Sequence, residues 1–250
     1  MLEGEFASMC KLHKAAPKSV PEPFAWGKLS LTNPTTYYFL CDSIEMTKER
    51  LDPVQMCTKL VELHQNSESP TGQFGFRMNT SQGNLPQQTS PWNASWSDFY
   101  IQLVRGAMQL NRERNGTWKN LEQCVDRLIT YVVPKVLGPL EANGRKVKPC
   151  LIHGDLWDGN IGTDLEPGEI YVFDASVYYA HNEMEIAMWR ARFNGGLVSK
   201  TYLNAYLASM GISEPTEQFE DRNRIYSVYM ALHESACHYG SSFREEYVRP

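Results

Sequence analysis

Leu151-Ile-His-Gly-Asp-Leu-Trp-Asp-Gly-Asn160, answered a little further on by Val172-Phe-Asp174, is the stretch on which the fold turns. The apolar runs Cys150-Leu-Ile-His153 and Glu169-Ile-Tyr-Val-Phe-Asp174 read as short buried strands bracketing a Gly- and Asp-rich loop. A tight loop after a buried strand lets Asp155 and Asn160 converge, and a hairpin closed by Glu166-Pro167-Gly168 returns Asp174 beside them. Two carboxylates and an amide oxygen then meet at one place. These are hard oxygen donors of the kind that suits Mg2+, and no soft ligand cluster competes with them.

The spacing H-x-D-x-x-x-x-N is that of a phosphotransfer catalytic loop. In that chemistry one carboxylate accepts or orients the attacking hydroxyl, an amide oxygen holds a metal, and a second carboxylate binds metal bridging the phosphates. Asp155 takes the catalytic role, and Asn160 and Asp174 hold the metal. His153 reads as a backbone-bonding residue rather than a proton carrier. Trp157 has two readings, stacking on a sugar or capping the core, and Asp158 reads as a solvated loop residue.

Outward from this loop the composition is that of an ordinary globular chain. Of 250 residues 42% are hydrophobic and 21% charged, and 17 Gly with 14 Pro exclude collagen-like and low-complexity classes. A formal charge of −5 with scattered basic residues points to no nucleic-acid partner. Six cysteines without a C-x-x-C pair or zinc spacing suit a reducing compartment. The acidic start Met1-Leu2-Glu3-Gly4-Glu5 is unlike a signal peptide, and no apolar run approaches the ~18 residues of a membrane span. The expected location is the cytoplasm, with no membrane partner.

Leu2 to His13 shows helical spacing, and Thr35-Thr-Tyr-Tyr-Phe-Leu-Cys41 reads as a strand, with Phe24-Ala-Trp-Gly-Lys-Leu a weaker one before it. Asp52 as N-cap with Pro53 at the first helical position opens a helix. Ser67 to Pro91, rich in Ser, Gly, Gln and Pro, reads as a long loop of the functional sort. Helices follow around Trp96 to Ala107 and Leu121 to Val132, the latter bent or ended by Pro134, and everything after Glu183 looks helical.

His153-Gly-Asp-Leu-Trp-Asp-Gly-Asn160 closely resembles the H-G-D-L-W-x-G-N loop of the fructosamine kinase (ketosamine 3-kinase) family. Leu63-His64 with Gly72-Gln-Phe-Gly-Phe76 looks like that family's L-H-x-x-S…G-x-F-G-F segment. Leu85-Pro86-Gln87, Trp92, Trp96 and Phe99-Tyr100 look like its P-Q…W…W-x-x-F-[FY] stretch. Phe173-Asp174 through Ala187 is similar to its F-D-P-A-x-x-Y-G-H-x-E-x-E-x-A signature, with Ala175 in place of the usual Pro. The resemblance implies an α+β, protein-kinase-like fold: an incomplete small N-terminal lobe over 1–46 and a mainly helical C-terminal lobe over 47–250. It further implies ATP- and Mg2+-dependent phosphorylation of the 3-hydroxyl of ketosamines, fructosamines or ribulosamines on lysine or on free amines, a deglycation reaction. Trp157, His181 and Glu183 then face substrate, while His153 and Glu185 tie down the catalytic loop, although Glu183, Glu185 and His181 each keep a structural alternative. Glu5 stands at the position that pairs with a strand Lys, and Cys41, Asp42 and Ser43 lie where the adenine-contacting hinge belongs.

Kinase-like catalysis also uses a Gly-rich loop and that strand Lys, and the sequence shows neither. Three strands of ~6 residues with their turns need roughly 30 residues ahead of Met1. The expectation is weak ATP binding and slow turnover, with a pseudokinase or a shortened gene product as the competing reading. Leu156-Trp157 argues against a choline or aminoglycoside kinase. A second expectation is that Tyr37-Tyr38-Phe39-Leu40, left as an apolar sheet edge, pairs with a second copy of the chain.

Overall fold

The computed structural model describes residues 1–30, 33–47, 51–165, 168–191 and 195–240. The chain opens with α1 (Leu2–Ala15), whose Ala7, Met9 and Leu12 are buried. A two-stranded antiparallel sheet follows, β1 (Pro23–Lys28) with β2 (Tyr37–Cys41). Phe39 turns inward edge-on to Phe6 of α1, whereas Tyr37, Tyr38 and Leu40 are exposed. The sheet edge expected to seek a second copy is thus apolar and accessible.

β3 (Met46–Thr47), at the expected division between lobes, joins the larger body by pairing with a later hairpin strand. α2 (Pro53–Asn66) starts as its sequence predicts, with the Asp52 carboxylate accepting the Gln55 N–H at 2.7 Å. Its apolar face presents Met56, Cys57, Leu60, Val61 and Leu63 to the core.

The stretch 67–91, expected as a long loop, is ordered and partly paired. It contains a small hairpin, β4 (Ser81–Gln82) with β5 (Leu85–Pro86), and it buries Phe74, Phe76, Thr80, Gln82, Gln87 and Thr89. These polar residues are buried because each finds partners: Gln87 Nε2 donates to the Ser176 carbonyl, and Thr89 Oγ1 to that of Met78.

α3 (Trp96–Asn115) is capped by Ser95, and the Glu141 carboxylate accepts the Trp96 N–H at 2.9 Å, an anion at the positive end of the helix. Trp96 is fully buried at the centre of an aromatic cluster with Phe74, Phe99, Tyr100, His181 and Tyr226. α4 (Lys119–Arg127) runs through a π-helical turn (Leu128–Val132) into α5 (Val133–Val136), so Pro134 sits in the first turn of a new segment. α6 (Gly138–Glu141) then leads to β6 (Cys150–Ile152).

After the Asp-rich loop, β7 (Ile161–Asp164) pairs antiparallel with β8 (Ile170–Val172) and with β3. The expected Glu166-Pro167 turn of this hairpin lies outside the described residues. β9 (Tyr178–Ala180) returns to pair with β6, both strands fully buried. A 3-10 segment (Asn182–Arg190), α7 (Lys200–Met210) and α8 (Phe219–Cys237) complete the helical body, with α8 lying along α3.

Candidate active site

β6 ends at Ile152 and the chain must turn at once to keep Asp155 at the surface of the core. Gly154 makes the turn with φ of 81°, and a Cβ there would stand 2.3 Å from the Ser176 carbonyl oxygen, so only glycine fits. The turn is held from below by Glu185. Its two carboxylate oxygens accept the backbone N–H groups of His153 (2.5 Å) and Gly154 (3.1 Å).

His153 is fully buried and bonds at both ring nitrogens. The Asp155 N–H donates to Nδ1 at 3.3 Å, so Nδ1 carries no proton and Nε2–H donates to the Phe173 carbonyl at 2.9 Å. Burial holds the ring below the usual histidine range, consistent with that neutral tautomer. His153 thus bolts the 153–160 loop to Phe173, the residue between β8 and Asp174.

Asn160 Nδ2 donates to the Asp155 carbonyl at 2.9 Å and lies 3.4 Å from both Asp155 Oδ2 and the Asp174 carbonyl, closing the loop into one unit. With the nitrogen so committed, the Asn160 oxygen is the atom left for a ligand. Asp174 adopts φ of 56°, a left-handed conformation that Asp tolerates better than most residues. Its charge reaches both Asp155 and Glu5. Glu5, half-buried on α1, is pushed up to about 7, first by burial and then by Asp174. The structure thus joins Asp155, Asn160 and the Asp174 backbone in one hydrogen-bonded unit; among the described residues no three His, Cys, Asp or Glu side chains gather closely enough to hold a metal by themselves, so a hard cation here would take Asn160 and Asp174 oxygens with the rest from its ligand.

Burial pushes the Asp155 carboxyl up to about 7, and the nearby Glu234 adds to the effect. Gln82 Nε2 donates to Asp155 Oδ1 at 2.9 Å and lies 3.4 Å from Glu234 Oε1. Neither Gln82 nor Glu234 is evident from the sequence. Gln82 sits in the stretch 67–91, whose length was its one signal, and Glu234 comes from α8.

The residues expected at the hinge, Cys41, Asp42 and Ser43, run from the end of β2 toward β3. Asp42 is engaged by backbone there: its carboxylate accepts the Glu22 N–H at 3.0 Å, and its own N–H donates to the Glu22 carbonyl. Cys41 faces Glu5 closely enough for that carboxylate to raise its thiol, after burial and Asp42. Ser43 is exposed.

Trp157 is half-buried against the core, its ring over Gly159, where a Cβ would come within 2.4 Å. His181 and Glu183 require correction as substrate-facing residues. Both are buried away from solvent. His181 bonds Tyr226 Oη and Ser213 Oγ, and Glu183 receives Arg222 Nε at 2.7 Å together with the Ser213 N–H at 2.9 Å. Arg222 is itself fully buried, and the pair fastens α8 to the 3-10 segment. Asp158 accepts the Gly196 N–H at 3.3 Å.

No helix among the described residues is long and apolar enough to cross a membrane. Comparison with known proteins matches this architecture throughout. A rice (Oryza sativa subsp. indica) chloroplastic protein-ribulosamine 3-kinase is 32% identical over 247 residues, covering 98% of this chain and 66% of the relative. The chain thus spans about two thirds of that relative's length. A mouse ketosamine-3-kinase is 28% identical over 98% of the chain and 80% of its own length. Among solved structures, a Haemophilus somnus protein assigned as a fructosamine-3-kinase superposes with a TM-score of 0.76 at 21% identity, over 97% of this chain and 77% of that one. The aminoglycoside phosphotransferase APH(4)-Ia, in ternary complex with AMP-PNP and hygromycin B, gives 0.62 at 15% identity over 98% and 78%. The fold is α+β and protein-kinase-like. The sequence profile of the fructosamine kinases matches residues 1–249, and with the loop geometry above this establishes that the chain belongs to the fructosamine kinase family.

Proposed function

We propose that this chain phosphorylates the 3-hydroxyl of ketosamines, sugars carried on an amine, at the expense of ATP. The observation that carries this reading is the convergence of Asp155, Asn160 and Asp174 on one loop-and-hairpin unit, in a chain whose relatives are named ribulosamine and ketosamine kinases. Asp155 orients the hydroxyl and accepts its proton as the oxygen attacks the γ-phosphorus. Asn160 through its side-chain oxygen and Asp174 through its carboxylate would hold Mg2+, which would supply positive charge to offset that of the phosphates. Glu185 and His153 keep the loop in register while the charge develops. Cys41, Asp42 and Ser43 would line the adenine edge, and the half-buried Trp157 offers a ring face to the sugar. The ligand-bound ternary complex of APH(4)-Ia supports ATP as the donor in this fold.

The test is incubation of the protein with millimolar ATP, Mg2+ and a synthetic fructosamine or ribulosamine, with phosphorus NMR of the sugar product. A 3-phosphate formed by wild type and absent with Asp155→Asn is expected. Transfer that survives Asp155→Asn, or appears at another hydroxyl, overturns the assignment.

A further inference from the structure

Glu185 carries the turn before Asp155 on a carboxylate only 1% exposed, accepting the N–H groups of His153 and Gly154. Two backbone donors are a thin set for a buried anion. No lysine or arginine among the described residues pairs with it. The group that does face it is His64, in the last turn of α2, whose Nε2 stands 3.5 Å from Glu185 Oε2 on a ring fully buried.

The hydrogens around this imidazole run in one direction. Asn182 Nδ2 can only donate, and it donates to Tyr206 Oη at 2.9 Å. The single hydrogen of that hydroxyl is then left for His64 Nδ1, 2.8 Å away. Nδ1 therefore accepts, and Nε2 carries the hydrogen of the ring. Nε2 finds no full hydrogen bond among the described residues, so its contact with Glu185 is that of an N–H dipole facing a charge. The backbone beneath the ring is anchored: Ser67 Oγ donates to the His64 carbonyl at 3.1 Å and accepts the Leu151 N–H at 2.8 Å, tying the end of α2 to β6.

We infer that His64 is a positioning residue for phosphoryl transfer: its Nε2–H steadies the Glu185 carboxylate, and Glu185 sets the turn that presents Asp155. His64 touches neither substrate nor reacting atoms, and it acts through Glu185. Tyr206 and Asn182 fix which of its nitrogens bears the hydrogen. This role rests on the kinase reading given above. The pair Leu63-His64, until here only part of a family resemblance, thereby acquires a physical task.

The experiment compares His64→Asn with His64→Gln in the full chain. An Asn amide takes the place of Nδ1 and cannot reach Glu185, whereas a Gln amide takes the place of Nε2 and can still donate to it. Amide exchange resolved by NMR is read at His153 and Gly154, with Leu151 as the reference for general loosening of α2 and β6. Kinetics are read with ATP, Mg2+ and a synthetic fructosamine. His64→Asn should speed exchange at His153 and Gly154 about tenfold relative to Leu151, the loss of one contact to a charged group. It should lower kcat by about tenfold, with KM for the sugar within about threefold. His64→Gln should restore most of both. Asn and Gln variants that behave alike overturn the inference, as does exchange at Leu151 that quickens as much as at Gly154, the mark of a merely structural histidine. Should His64→Asn fail to fold, Tyr206→Phe takes its place: quicker exchange at His153 and Gly154 than at Leu151 supports the relay, and its absence overturns it. A wild type that transfers no phosphate sinks the kinase reading, while the exchange comparison still decides whether His64 holds the turn.

Discussion

Asp155 occupies a position that suits chemistry at the expense of stability. Its carboxyl is pushed up to about 7 because burial, Glu234 and Asp174 all disfavour the charge, against the opposing pull of the Gln82 amide. A base must be unprotonated to accept a proton, so kcat/KM is expected to rise as pH climbs through about 7. Folding responds with the opposite sign. A carboxyl raised in the folded state contributes stability that is whole below its unfolded value of about 4 and is lost as pH rises through the folded value. Asp155→Asn should therefore abolish transfer yet raise Tm at pH 8, with the advantage vanishing toward pH 5; calorimetric melts across that range check it. The same residue scale shows what was legible. Asp155, Asn160 and Asp174 lie within twenty residues of one another, so their spacing announced their convergence. Gln82 and Glu234 reach Asp155 from far away in sequence, and no local pattern marks such a meeting. His181 and Glu183 carried the right chemistry in the wrong place, because their fate depends on Arg222, 39 residues beyond Glu183.

Among the elements, the turn after β6 is the most exacting. Gly154 meets two demands at once, a positive φ and an approach to the Ser176 carbonyl that no side chain permits. Gly154→Ala should cost about 2–3 kcal/mol or more in urea unfolding, and should lower kcat far more than a comparable loss elsewhere, because Asp155 is the next residue. Helices were readable at this scale wherever periodicity and caps agreed, as in α2 with Asp52 and Pro53. The β4–β5 hairpin was not readable. Its strands are two residues long, too short for any alternation to show, and its buried Thr and Gln side chains look like loop residues until their partners arrive.

For the whole molecule, the small sheet and α1 are attached very differently. The sheet rests on α1 through both of its strands, with Phe39 edge-on to Phe6. α1 is fixed to the chain around β8 and β9: the Val177 N–H donates to Ser8 Oγ at 3.2 Å, and the Val172 N–H to the Ser19 carbonyl at 2.8 Å just beyond the helix. Gly4 lies so close to Asn79 and Thr80 that a Cβ would come within 3.3 Å of backbone. By amide hydrogen exchange α1 and residues 175–180 should open as one unit, and Ser8→Ala should accelerate both together. Separate acceleration of α1 alone would contradict this coupling.

The Ser8 to Val177 bond also sets a timetable. Its two ends are 169 residues apart, and a ribosome adding ~5–20 residues per second separates their synthesis by roughly 8–34 s. Throughout that interval Met9 and Leu12 of α1, buried in the finished core, lack the later elements of that core. The nascent chain carries an early, greasy helix waiting for the partner that completes the catalytic centre, so its yield in cells should depend on chaperones that shield such faces.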